Sequence, residues 1–185
     1  MGKKAFLFLA DGFEEVEAIT PIDLLRRAGI ECITVSISDK LEVTGSHGIT
    51  LKADCIFDEK ECIQGDAIIL PGGMPGTINL SKHYGLKNVI IDYDKKKKTI
   101  AAICAAPTIL GEMGLLEGYK STCYPGFEEK LFDSDVLFEQ FVEDGHFITS
   151  RGVGTAIPFA LKIIEILEGK DKMNDIKNQI VFNLD

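Results

Sequence analysis

Short apolar runs of strand length alternate along this chain with longer segments of helical period, and that alternation is what most restricts its fold. Lys4–Ala10, Glu31–Ser36, Ala67–Leu70 and Thr99–Ile103 read as strands. Between and after them, Glu14–Ala28, Gly85–Lys98, Pro107–Met113 and Thr155–Glu168 read as helices, the first stopped by Gly29 and the last by Gly169. Leu41–Leu51, broken by Thr44-Gly45-Ser46, has the pattern of a β-hairpin, and further strand candidates lie at Ser121–Cys123, Phe138–Glu143 and Phe147–Ser150. Strands that alternate with helices predict an α/β fold with a mostly parallel central sheet and helices on both faces. With 185 residues and no linker or repeat, the chain is expected to form one domain over 1–185.

Charge then narrows the partners. The chain carries a net charge of −9, and a surface of that sign repels phosphate, so no nucleic-acid partner is expected. The Lys95–Lys98 run does not change this, because cations at the end of a predicted helix complement its dipole. Hydrophobic residues make up 45% of the chain, enough for a sizeable core, yet no stretch is long and apolar enough to predict a membrane helix. Lys3-Lys4 followed by Ala5–Ala10 is too short for a secretory leader, so a cytoplasmic protein is expected. Five cysteines without a C-x-x-C pair indicate neither a disulfide framework nor a metal site.

One of those cysteines stands where chemistry is commonly placed. Cys104 follows an apolar strand directly, has alanines at 102, 105 and 106, and precedes Pro107 at the start of a predicted helix. Small neighbours permit the sharp strand-to-helix turn of a nucleophile elbow. A helix N-terminus there is expected to favour the thiolate. The same pattern also fits a small buried core thiol, and the residues alone leave both readings open. Pro71-Gly72-Gly73 ends another strand in the same manner, so its backbone N–H groups, with that of Ala105, are candidate oxyanion donors; a glycine pair after a strand also reads simply as a turn. Glu17 shares an otherwise apolar helix row with Pro21, Leu24 and Ala28, which implies a buried acid of raised pKa, unless it only complements the helix start alongside Glu14 and Glu15.

Taken in order, Phe8-Leu9-Ala10-Asp11-Gly12-Phe13-Glu14-Glu15-Val16-Glu17, Leu25-Arg26-Arg27-Ala28-Gly29-Ile30, Leu70-Pro71-Gly72-Gly73, Ala101-Ala102-Ile103-Cys104-Ala105-Ala106-Pro107 and Thr149-Ser150-Arg151-Gly152-Val153-Gly154-Thr155 span almost the whole chain. The chain resembles the ThiJ/PfpI superfamily, in particular the branch of the parkinsonism-associated protein and its bacterial relatives. The resemblance implies a flavodoxin-like sandwich, usually a homodimer, with Cys104 as the reactive thiol, Glu17 as a protonated acid touching it, and Gly73 and Ala105 as oxyanion donors. It also implies an activity without cofactor or metal: conversion of methylglyoxal-type oxoaldehydes to hydroxy acids, or removal of early glycation adducts from protein. The alternative it implies is an oxidative-stress sensor or chaperone that uses oxidation of Cys104. The expected partners are a small aldehyde or a glycated protein. Gly72, Tyr124, Arg27 and His47 are the further residues expected to line the site. Tyr124 stands where the parkinsonism protein has a histidine, His47 stands where it has an arginine, and Ala105 after Cys104 argues against the family's peptidase branch.

Overall fold

The computed structural model describes residues 2–182. Its strands are β1 Lys4–Leu9, β2 Glu31–Ser36, β3 Glu42–Thr44, β4 Thr50–Lys52, β5 Cys55–Ile56, β6 Ala67–Leu70, β7 Thr99–Ile103, β8 Lys120–Ser121, β9 Asp135–Val136, β10 Phe141–Asp144 and β11 Phe147–Ser150. Its helices are α1 Glu15–Arg27, α2 Glu59–Cys62, α3 Gly76–Lys82, α4 Tyr84–Lys95, α5 Pro107–Glu112, α6 Ala156–Glu168 and α7 Lys170–Gln179. Seven strands form one sheet in the order β10-β11-β7-β6-β1-β2-β5. Only β10 runs antiparallel, at one edge.

Strand side chains alternate between faces, so a sheet covered on both sides needs apolar residues at successive positions. In β1, Ala5, Leu7 and Leu9 point into a layer with Leu24 and Leu25 of α1 and Phe159, Ile163 and Ile164 of α6. Phe6 and Phe8 point the other way, against Leu86, Val89, Ile90 and Tyr93 of α4 and Ile109 and Leu110 of α5. The α/β sandwich expected from the alternation of runs is the fold observed.

Several elements differ from expectation. The predicted helix over Gly85–Lys98 is preceded by a separate helix, α3, and His83 between the two accepts a hydrogen bond from the Leu86 N–H at 3.0 Å through Nδ1, capping α4. The lysine run closes α4, where Lys96 and Lys97 pair with Asp92 and Asp94 and the Lys98 ammonium donates to the Ile63 carbonyl. Thr122 and Cys123 are not strand: β8 is confined to Lys120–Ser121 and pairs only with β9.

Chain direction decides where a ligand can bind. From β1 the chain moves to β2 on one side, while β6 and β7 lie on the other, so the order reverses between β1 and β6. The crevice outside the carboxyl ends of strands at such a reversal is the usual binding position in open α/β sheets. The segments after Leu9, Leu70 and Ile103 converge there.

Candidate active site

Cys104 leaves β7 with φ of +64°, in the left-handed region that side chains other than glycine rarely occupy. Two neighbours hold it there: its N–H donates to the Ser150 carbonyl at 2.9 Å, and its own carbonyl accepts from the Tyr124 N–H at 2.8 Å. The turn is tight enough that Ala105 and Ala106 are both buried. Such a conformation costs of order 1–3 kcal/mol and persists where surrounding contacts over-determine it.

Gly72 and Gly73 make the opposite wall. A Cβ on Gly72 would lie 2.6 Å from the Cys104 Cβ, 2.7 Å from Glu17 Oε2 and 3.0 Å from the Cys104 Sγ. Sulfur and carboxylate therefore meet across a space that only glycine leaves free. Gly73 has φ of +90°, and a Cβ there would collide with the backbone of Glu14.

Glu17 is fully buried on α1. Its Oε2 accepts the Gly72 N–H at 2.9 Å, whereas Oε1 is buried with no hydrogen-bond partner of good geometry. Burial raises this carboxyl to about 7, against the pull of the Cys104 thiol and the Gly72 N–H, with the charge of Glu14 adding to the rise. Near neutrality Glu17 thus keeps its proton far more readily than a free carboxyl, and the protonated form relieves the otherwise bare Oε1.

The expectation that a helix N-terminus lowers the thiol pKa is not met. Burial and the neighbouring Glu17 carboxylate push Cys104 up to about 12, and the Gly73 and Ala105 N–H groups pull it down only in part. The physical reason is local. Helix α5 has six residues and begins three positions beyond the cysteine, so its dipole is small and its end is displaced from the sulfur. What governs the thiol is its carboxyl neighbour. When Glu17 is protonated the repulsion ends and the carboxyl becomes a donor, so the two groups share one proton and titrate as a unit.

A cavity of about 520 Å³ opens onto this pair, lined by Glu14, Glu17, His47, Gly73, Met74, Cys104, Ala105, Tyr124, Phe127 and Val153. Tyr124 stacks edge-on to Phe127, with ring centroids 6.2 Å apart. Gly72 lies directly behind this surface, against the sulfur. Arg27 does not join the site within one chain: it sits at the far end of α1, paired with Asp23 at 2.6 Å. Glu14, Met74, Phe127 and Val153 escaped the sequence reading. Glu14 and Val153 stood within segments that carry the family resemblance, and Glu14 also belongs to the acidic run that contains Glu17; Met74 and Phe127 carried no signal. Glu14, Glu15 and His47 are the one acid–imidazole group among the described residues close enough to share a cation, and the histidine ring is hydrogen-bonded to Glu15.

The profile of the DJ-1/PfpI family matches residues 3–166. The chain belongs to the DJ-1/PfpI family. Among relatives, DJ-1 homolog B of Arabidopsis thaliana is 39% identical over 97% of this chain, which spans 41% of that protein's length. A protein of Pyrococcus abyssi named as a deglycase is 30% identical, matching 89% of this chain and 99% of its own length. The solved structure of oxidized DJ-1 from Toxoplasma gondii superposes with a TM-score of 0.93 at 34% identity, covering 99% of this chain and all of that one. The likeness to solved DJ-1 structures accounts for the mostly parallel sheet with helices around it. No helix among the described residues is long and apolar enough to cross a membrane.

Proposed function

We propose that this protein is a cofactor-free, cysteine-dependent enzyme for reactive carbonyl compounds, acting on free oxoaldehydes or on the adducts they form with protein. The observation that carries this reading is the positive-φ Cys104 facing Glu17 across Gly72, with the Gly73 and Ala105 N–H groups turned toward the sulfur. Glu17 in its ionised form takes the thiol proton as the sulfur adds to the aldehyde carbon and forms a C–S bond, while the carbonyl π pair moves onto oxygen. The two N–H groups stabilise that oxyanion, and Glu17, poised near neutrality, delivers the proton. The deglycase name of the archaeal relative supports this substrate class.

A second reading has its own support. The buried Glu17 Oε1 has no partner, and its carboxyl faces the sulfur across Gly72, so a sulfinate there would accept the carboxylic proton; this favours an oxidation sensor. Turnover separates the two. Purified protein should convert methylglyoxal to lactate, and Cys104→Ala should abolish this; if wild type shows no turnover above the variant, the enzyme reading fails and the sensor reading stands.

The chain is further proposed to work as a homodimer. Val16 and Ile19 lie on one face of α1 and Ile49 stands beside its first turn, and all three are exposed.

A further inference from the structure

The cavity at Cys104 contains an imidazole that the carbonyl chemistry above does not use. His47 lies in the β3–β4 connection and lines that cavity. Its side chain is 70% exposed, yet its ring and its backbone are both tied to one buried acid. Glu15, which is 3% exposed, accepts the His47 backbone N–H at 2.7 Å through Oε1 and stands 2.9 Å from the ring Nδ1 through Oε2. The Ile49 N–H and the Ser46 hydroxyl reach the same carboxylate at 3.4 Å each. Gly45 has no space for a side chain against Glu15, so the loop is wrapped closely around this acid.

The arrangement fixes the tautomer. Although burial opposes its charge, hydrogen bonds from the His47 ring and from backbone N–H groups hold Glu15 down at about 2. A permanent carboxylate at Nδ1 keeps the proton on that nitrogen and leaves Nε2 as the acceptor. Glu14 approaches Nδ1 at 3.4 Å as a second acid, and Glu17, Cys104 and Tyr124 line the same cavity. Both acids raise the imidazole pKa, which makes Nε2 a stronger base than a free histidine.

We propose that His47 is the proton-transferring base of this site, with Glu15 as its positioning residue. The inference rests on the reading of Cys104 as the nucleophile. After the thiolate has added to an oxoaldehyde, Nε2 takes the proton from the sulfur-bearing carbon. The C–H pair becomes the C=C of an enediolate, and Glu17, ionised since it gave its proton to the first oxyanion, relays the hydroxyl proton of the sulfur-bearing carbon to the neighbouring oxygen. The imidazolium then returns its proton to that neighbouring carbon while the oxygen on the sulfur-bearing carbon re-forms its carbonyl, leaving a thioester. Water cleaves the C–S bond, which frees the thiol and a hydroxy acid. One substrate carbon is oxidised and its neighbour reduced, so no external redox partner is needed.

The test uses His47→Gln and Glu15→Gln with methylglyoxal and its C1-deuterated form. His47→Gln should lower kcat by about a hundredfold, the usual size of a general-base contribution. KM should stay near that of wild type, the C1-deuterium effect on kcat should grow, and iodoacetamide labelling of Cys104 should keep its rate. Glu15→Gln should move the acidic limb of the kcat profile to lower pH, because the imidazole loses the carboxylate that raises it. Unchanged kcat in His47→Gln, or kcat and labelling rate falling together, overturns the assignment while Cys104-dependent turnover stands. Absence of that turnover in wild type overturns both readings.

Discussion

At Gly72 a single missing methyl group decides whether sulfur and carboxyl can approach, and the same closeness makes Glu17 the residue whose titration the whole protein should feel. Its pKa is raised from 4.5 to about 7 by burial. The folded state therefore binds more protons than the unfolded state between those values, so stability is fully present below about 4.5 and declines as pH rises through 7. A shift of this size corresponds to roughly 3 kcal/mol. Glu17→Gln, which cannot ionise, should lack that decline: urea unfolding of both proteins from pH 4.5 to 8 should show the variant gaining on wild type as pH rises. Parallel stability curves would mean that Glu17 is ionised in the folded state throughout this range.

Among elements, the loop between β3 and β4 depends on α1 more than on its own hairpin. Glu15 gathers the N–H groups of His47 and Ile49, and its depressed pKa means that this tie is present above about 4.5 and lost as pH falls toward 2. Glu15→Ala should raise amide hydrogen exchange at His47 and Ile49 at least tenfold while leaving β1 and β6 protected, since losing charged hydrogen bonds costs about 1.5–3 kcal/mol. Equal protection in both proteins would place the restraint in the loop backbone instead. Nothing in the sequence announced this tie, because Glu15 and His47 are remote in the chain and glutamates in a first helical turn have a sufficient local explanation. What was legible were the features with a local steric or periodic signature: the buried strands, α1, α6, and the small residues around Cys104. Helix α7 was not legible, since among its ten residues only Ile176 is buried and it offers almost no apolar period. Helix α3 was hidden because the glycines and prolines before it read as a turn. The thiol pKa was misjudged for a related reason: a helix start can be read locally, whereas the apposition of Glu17 and Cys104 exists only in the folded sheet.

For the molecule as a whole, the proposed dimer follows from where apolar surface is left uncovered. Val16 and Ile19, on one face of α1, and Ile49, beside its first turn, are 44%, 40% and 52% exposed, in a chain whose charge of −9 otherwise favours separation. Sedimentation should give a mass near twice 20.3 kDa, and Ile49→Asp should shift it toward the monomer; a wild-type monomer at micromolar concentration would remove the proposal. The two-faced sheet carries another consequence, for kinetics. Cys32 is packed into the layer beneath α1 and α6, whereas Cys62 and Cys123 are packed into the opposite layer. Each of these buried thiols becomes reactive only when its own layer parts, so the protein carries a separate clock on either side of its sheet. Under a slow thiol reagent, Cys32 times the loosening of one layer and Cys62 and Cys123 time the other. Matching rates would mean that the two halves of the core open as one cooperative unit; differing rates would reveal which side yields first.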